Sequence, residues 1–141
     1  MADRRPFLQV RDVGKTFMIG EERVDALHHV ELTIDKGEFV CLIGASGCGK
    51  STLLRIIAGF ETPSYGDVRV YDAPITGPGS DRGMVFQDYA LFPWMTVREN
   101  IAFGPRQKGL KDAKDIAAKY VDMVGLTKFA DRFPYQLSGG M

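Results

Sequence analysis

Gly44-Ala45-Ser46-Gly47-Cys48-Gly49-Lys50-Ser51 is the stretch on which the fold turns. A glycine, four residues, then Gly-Lys-Ser is the spacing of a phosphate-binding loop. The flanks agree with that reading. Glu38-Phe39-Val40-Cys41-Leu42-Ile43, just before it, is a short and mostly apolar run of the kind that forms a fully buried strand. Lys50 to Ala58, just after it, reads as a helix closed by Gly59. Strand, glycine-rich loop and helix thus occur in the order the motif requires.

The residue types follow from the ligand chemistry. Triphosphate oxygens need many donors at short range, more than mobile side chains supply. Gly44, Gly47 and Gly49 let the backbone turn so that successive N–H groups point inward as an anion nest. The helix behind them adds its positive end. Lys50 is placed to reach the β- and γ-phosphates, and the Ser51 hydroxyl to ligate Mg²⁺. An ordinary glycine turn before a helix needs neither the Lys-Ser pair nor the buried strand, so the stretch is read as a nucleotide-binding loop.

The 141 residues make one domain's worth of chain, with 45% apolar and 26% charged residues and a formal net charge of zero. That balance gives no basic footprint of the sort nucleic-acid binders carry. No apolar run approaches the ~18 residues that span a bilayer. Met1 to Pro6 carries charge without an apolar stretch behind it, so it does not read as a secretory signal. Two cysteines, Cys41 in the expected strand and Cys48 in the loop, suit reduced thiols in the cytosol. A helix N-terminus lowers a thiol's pKa, which makes Cys48 a candidate reactive group; a small residue that fits the loop is the simpler account.

Elsewhere the chain alternates. Residues 7–13 do so weakly and suggest an edge strand, while Val30, Leu32 and Ile34 against Glu31, Thr33 and Asp35 give a clean half-buried strand. Asp35-Lys36-Gly37 turns the chain into the run before the loop, and Val68 to Tyr71 is a further strand. His28 and His29, with no Cys or carboxylate cluster at ligand spacing, read as surface residues. A Gly- and Pro-rich loop over 73–82 leads into Gly83-Met84-Val85-Phe86, a second expected buried strand, with Gln87 at its C-terminal end. Ligands bind at that end in open α/β sheets, although a polar strand cap would look the same.

Beyond Gln87 the character changes. Leu91-Phe92-Pro93-Trp94-Met95 is an aromatic run in a loop, either a satellite core under its own helices or an exposed patch that receives a partner. Thr96-Val97-Arg98-Glu99 spells a capping box, which opens a helix running to Phe103 and stopping at Gly104-Pro105. A second helix is expected from Lys111 to Val124, with Ile116, Ala117, Tyr120, Val121 and Val124 on its apolar face and Gly125 ending it.

The last residues are Phe133-Pro134-Tyr135-Gln136-Leu137-Ser138-Gly139-Gly140-Met141. Following a P-loop and a strand-end glutamine, they make the chain resemble the nucleotide-binding subunits of ABC transporters from about Leu8 to Met141. Leu-Ser-Gly-Gly supplies four of the five residues of that family's signature motif, and Met141 departs from the fifth. The resemblance implies an α/β P-loop core with an N-terminal antiparallel β layer over about residues 1–87 and an inserted helical subdomain over about 88–141, incomplete here. It implies ATP and Mg²⁺ as ligands, held by Phe17 stacking on adenine and by Gly44, Ala45, Ser46, Gly47, Cys48, Gly49, Lys50, Ser51 and Thr52. It places Ser51 and Gln87 at the metal, with Gln87 also near the attacking water.

Two partners are implied as well. Leu137, Ser138, Gly139, Gly140 and Met141 would act on the nucleotide of a second ATP-binding subunit in a head-to-tail dimer, and the loop around Pro93, Trp94 and Met95 would receive membrane permease subunits. The run Phe86 to Asn100, and the Met after Leu-Ser-Gly-Gly, are similar to the importer branch for nitrate, sulfonates, taurine and related small anions. That implies a cytoplasmic protein, peripheral on the inner face of the plasma membrane, with no nucleic acid among its partners.

After the signature the family continues with a helix, a strand ending in Asp and Glu that order Mg²⁺ and polarise the attacking water, and a switch histidine. None of these lies in the 141 residues. The resemblance therefore implies the N-terminal part of a subunit nearly twice as long, able to bind nucleotide weakly and not to turn it over. A non-transporting ATP-binding module of the same fold, or a truncated product that only binds, is the alternative. A P-loop small-molecule kinase would need a lid and an acceptor pocket, and does not account for residues 137–140.

Overall fold

A computed structural model describes residues 6–88 and 90–141. The N-terminal reading over residues 1–5, and Tyr89 within the run Phe86 to Asn100, lie outside the described residues. The chain forms two compact units, Met1–Val85 and Phe86–Met141.

The first unit is built on an antiparallel sheet of four strands in the order β2-β1-β3-β4: β1 Leu8–Ile19, β2 Glu22–Ile34, β3 Tyr65–Val70 and β4 Ala73–Pro74. β1 is therefore interior, not the edge strand expected from residues 7–13. Weak alternation was misleading because Arg11 and Asp12 lie at a bulge, where the register between Val10 and Val13 slips and the side-chain period breaks. Asp12 and, across from it, His29 take left-handed φ values of 48° and 47°. Tyr65 on β3 secures this corner: its hydroxyl accepts from the His29 N–H at 3.1 Å, and its ring fills the space over Gly14, where any Cβ would collide with it. His28 and His29 are exposed, as expected. Val30, Leu32 and Ile34 do form the half-buried stripe of β2.

Helix α1, Lys50–Ile57, lies on this sheet. Leu53 and Ile56 join Leu8, Val10, Val13, Leu27 and Val68 in one buried core. Gly59, at φ +80°, ends the helix where the sequence placed the stop.

The two expected buried strands are not strands. Residues 38–43 and 83–86 belong to no ladder among the described residues, and Phe39, Ile43 and Val85 are 90%, 95% and 99% exposed. An apolar run records a demand for burial, but a strand exists only where neighbours complete its hydrogen bonds, and a parallel core strand draws those from distant sequence. The sheet formed here pairs only β1 to β4.

The second unit pairs α2, Val97–Gln107, with α3, Ala113–Met123. The capping box is formed: Thr96 Oγ1 accepts from the Glu99 N–H at 3.3 Å, and Glu99 Oε2 accepts from the Thr96 N–H at 2.8 Å. α2 does not stop at Gly104-Pro105 but carries Pro105 in its last turn. Proline there removes one donor only, and the turn closes around it, the Lys108 N–H donating to Gly104 O at 3.1 Å and the Leu110 N–H to Pro105 O at 3.1 Å. On α3 the buried face is Ala113, Ala117 and Val121, at spacing four, whereas Tyr120 and Val124 are exposed. The buried face thus keeps Ala117 and Val121 of the expected one and extends back to Ala113, with Ile116 half-buried beside it. Gly125 ends α3 at φ +71°. Among the described residues no helix is long and apolar enough to cross a membrane.

Candidate nucleotide-binding site

Residues 44–49 form a loop, exposed up to Cys48 and half-buried at Gly49, that turns twice through left-handed glycines, Gly47 at φ +81° and Gly49 at φ +91°. Lys50 opens α1 and folds back, its Nζ donating to Gly44 O at 2.8 Å and Ala45 O at 2.7 Å and lying 3.4 Å from Cys48 Sγ. The loop is drawn into a ring around one ammonium. The first intrahelical bond runs from the Leu53 N–H to Gly49 O at 2.9 Å. The N–H groups of Lys50, Ser51 and Thr52 precede it, in the turn where a helix has no acceptors of its own, and they are available to an anion. Ser51 is exposed directly beside Lys50. Cys41 and Cys48 are both free, exposed thiols.

A bulge in β2 seats this loop. Lys15 pairs with Leu27 and Thr16 with Asp25, which leaves Ala26 as the extra residue. The Ala26 carbonyl points at Gly49, so closely that a Cβ on Gly49 would collide with it and come 2.8 Å from Leu27 Cδ2. Phe17 pairs with Val24, two residues along β2 from Ala26, or about 7 Å at strand rise. The structure thus brings the aromatic residue and the phosphate loop to one end of the β1–β2 hairpin.

Phe17 itself is half-buried, with Lys15 Nζ 5.0 Å from its ring centroid. That ammonium also meets Glu61 Oε1 at 2.6 Å and Thr62 O at 2.7 Å. Glu61's carboxyl lies below the ordinary glutamate value, chiefly through the Lys15 hydrogen bond. Asp25, opposite Thr16, is likewise lowered, first by the Thr16 hydroxyl at 2.6 Å and then by Arg23.

In the second unit Gln87 is exposed. Trp94 is 70% exposed while Phe92 packs beneath it, ring centroids 5.6 Å from Trp94 and 4.5 Å from Phe103. Within the aromatic run, Phe92 is thus half-buried and Trp94 lies at the surface. The loop's organiser, missed in sequence, is Asn100. Its Oδ1 accepts from the Phe92 N–H at 2.8 Å, and its Nδ2 donates to the carbonyls of Phe92, Met95 and Thr96 at 3.2, 3.0 and 3.0 Å. An asparagine one turn into a capped helix was the available signal. At 137–141, Leu137 packs against Val97, Val121 and Ala130, while Ser138, Gly139 and Gly140 are exposed in a turn closed by the Met141 N–H on Ser138 O at 2.9 Å.

A glycine loop ringed on its own lysine, opening a helix that lies on an antiparallel sheet, defines a P-loop nucleotide-binding domain. The ABC transporter family matches residues 27–141, and the chain belongs to that family. It is 51% identical over 136 residues to the nitrate import ATP-binding protein NrtD of Synechocystis sp., which covers 95% of this chain and 51% of that protein. It is 45% identical over 139 residues to the bicarbonate transport ATP-binding protein CmpD of Synechocystis sp., covering 96% and 49%. The chain spans about half the length of the curated relatives it matches. Among solved structures it is similar to the dimeric, post-hydrolysis ATP-binding cassette MJ0796 bound to ADP and Pi, with 34% identity and a TM-score of 0.83 over 94% of this chain and 64% of that one.

Proposed function

We propose that this chain is the nucleotide-binding part of an ABC importer subunit that couples ATP binding and hydrolysis to uptake of a small anion of the nitrate and bicarbonate class, with sulfonates and taurine as near neighbours. The observation that carries it is the loop of residues 44–52, folded around Lys50 and seated on the hairpin that bears Phe17. The relatives named for nitrate and bicarbonate transport support the cargo class. A cassette solved with ADP and Pi supports the ligand.

In this reading Phe17 stacks on adenine, and residues 44–50 take the phosphates through backbone N–H groups and the Lys50 ammonium. Mg²⁺, when bound, would supply positive charge against the phosphates. The exposed Ser51 hydroxyl beside Lys50 is the hard oxygen donor that such an ion takes, and Gln87 is its second candidate ligand. Residues 137–141 act on the nucleotide of a second subunit, a reading supported by the dimeric state of the solved cassette. Pro93, Trp94 and Met95 dock a membrane permease, which places the subunit on the cytoplasmic face of the plasma membrane; the exposure of Trp94 supports that role. The exposed runs 38–43 and 83–86 suit core strands of the longer domain that the relatives possess.

The test is made in the full subunit with its membrane partners. Lys50→Met is expected to stop anion uptake while the assembly still co-purifies, and Trp94→Ala to break co-purification. Uptake that persists in Lys50→Met would refute the motor role.

A further inference from the structure

Lys15 is not a surface lysine. Its side chain is only 14% exposed, and its ammonium has three partners: the Glu61 carboxylate at 2.6 Å, the Thr62 carbonyl at 2.7 Å and the face of the Phe17 ring at 5.0 Å. Lys15 and Phe17 are two apart on β1, so the strand's own period sets the cation beside the ring. The segment that holds the cation is stitched to the same strand. The Ser64 N–H donates to Gly14 O at 2.8 Å, and Ser64 Oγ accepts from the Thr16 N–H at 3.0 Å. Glu61 lies four residues past the end of α1, the helix that the phosphate loop opens. One side of the Phe17 ring is thus fixed by a cation that the α1–β3 connection keeps in place.

We propose that Lys15 is a positioning and specificity residue for the nucleobase: it clamps one face of Phe17 and leaves the other to an electron-rich purine. Two physical effects act together. The clamp removes rotamer freedom that Phe17 would otherwise lose on binding. The cation also draws ring π density toward itself, which makes the far face a better stacking surface for an electron-rich base. This inference rests on the reading that Phe17 stacks on the base, and it goes further by assigning the group that prepares the ring.

The experiment compares ATP with tripolyphosphate, which has neither base nor ribose, on the full 141-residue chain by calorimetry. The readout is the ratio of the two affinities. Lys15→Met is expected to lower ATP affinity about three- to tenfold with tripolyphosphate binding unchanged, and Lys15→Arg to restore the ratio to within about twofold. Equal weakening of both ligands in Lys15→Met would make Lys15 a structural residue and overturn the proposal. Phe17→Ala separates the two claims. If it collapses the ratio while Lys15→Met does not, the Lys15 proposal alone fails; if it leaves the ratio intact, the stacking reading itself is wrong. Should Lys15→Met fail to fold, Glu61→Gln weakens the same anchor and must also lower the ratio for the proposal to survive.

Discussion

Gly49, at φ +91°, backs onto the carbonyl of Ala26, the extra residue of the β2 bulge. Bulges re-aim the backbone beside functional sites, and this one turns a sheet carbonyl toward the end of the phosphate loop. The loop is thus not merely followed by a helix. It is pressed against a hairpin whose next pairs carry Thr16 and Phe17.

That contact makes Gly49 the least replaceable residue of the loop. Gly49→Ala must place a Cβ against Ala26 O and Leu27 Cδ2 and hold alanine in a left-handed conformation. We expect a loss of about 2 kcal/mol or more in urea unfolding, with nucleotide binding lost in parallel. Gly47 has a similar φ but open space around it, so Gly47→Ala should cost about 1 kcal/mol, from strain alone. Equal midpoints for the two variants would show that the Ala26 contact does not constrain the loop.

Lys50 should separate binding from folding. Its Nζ holds Gly44 O and Ala45 O in an exposed loop outside the core cluster. Lys50→Met is expected to lower affinity for both ATP and tripolyphosphate by about tenfold or more, since the lost charge faces phosphate and not base. The urea midpoint should move little. A variant that binds tripolyphosphate normally would remove Lys50 from the phosphate site.

Much of this was legible because the relevant signals are local. The Gly-Lys-Ser spacing, the Thr96–Glu99 box and the glycines after α1 and α3 are each decided within a few residues, and each appears in the structure. What was not legible depends on partners far along the chain. Phe39, Ile43 and Val85 sit in runs whose composition demands burial, yet composition names no neighbour to bury them. The Ala26 bulge emerges only from the pairing of β2 with Leu8–Ile19, and the interior place of β1 only from its pairing with Glu22–Ile34 on one side and Tyr65–Val70 on the other. Lys15 and Glu61 are 46 positions apart, and nothing in either's surroundings announces the pair.

Acid should loosen both units. Glu61 and Glu99 lie below their ordinary value of 4.5 when folded, Glu61 chiefly through the Lys15 hydrogen bond and Glu99 chiefly through the Thr96 N–H and then its hydroxyl. A carboxyl depressed by folding stabilises at pH above its unfolded value, and that contribution disappears as pH falls below 4.5 through the folded value. Urea midpoints measured between about pH 3 and pH 6 should therefore drop toward the acid end. Glu61→Gln and Glu99→Gln should each flatten the profile; if neither does, these contacts carry no linkage.

Asn100 gives the sharpest readout, because the only tryptophan of the chain lies in the loop it clamps. Its side chain makes four hydrogen bonds to the backbone of Phe92, Met95 and Thr96. Asn100→Ala removes the partner of the Phe92 N–H and of Met95 O at a half-buried position, while Phe92 O keeps the Met95 N–H and Thr96 O keeps the N–H of residue 100; the loss should cost about 1–3 kcal/mol. It should also free Trp94, whose ring meets that of Phe92 at 5.6 Å between centroids. Steady-state anisotropy of Trp94 emission should fall in the variant under native conditions, before any unfolding begins. Phe103→Ala is the matching control, since it removes packing under Phe92 but leaves the four hydrogen bonds in place. Anisotropy that falls in Phe103→Ala and stays unchanged in Asn100→Ala would mean that aromatic packing, not the asparagine, presents Trp94.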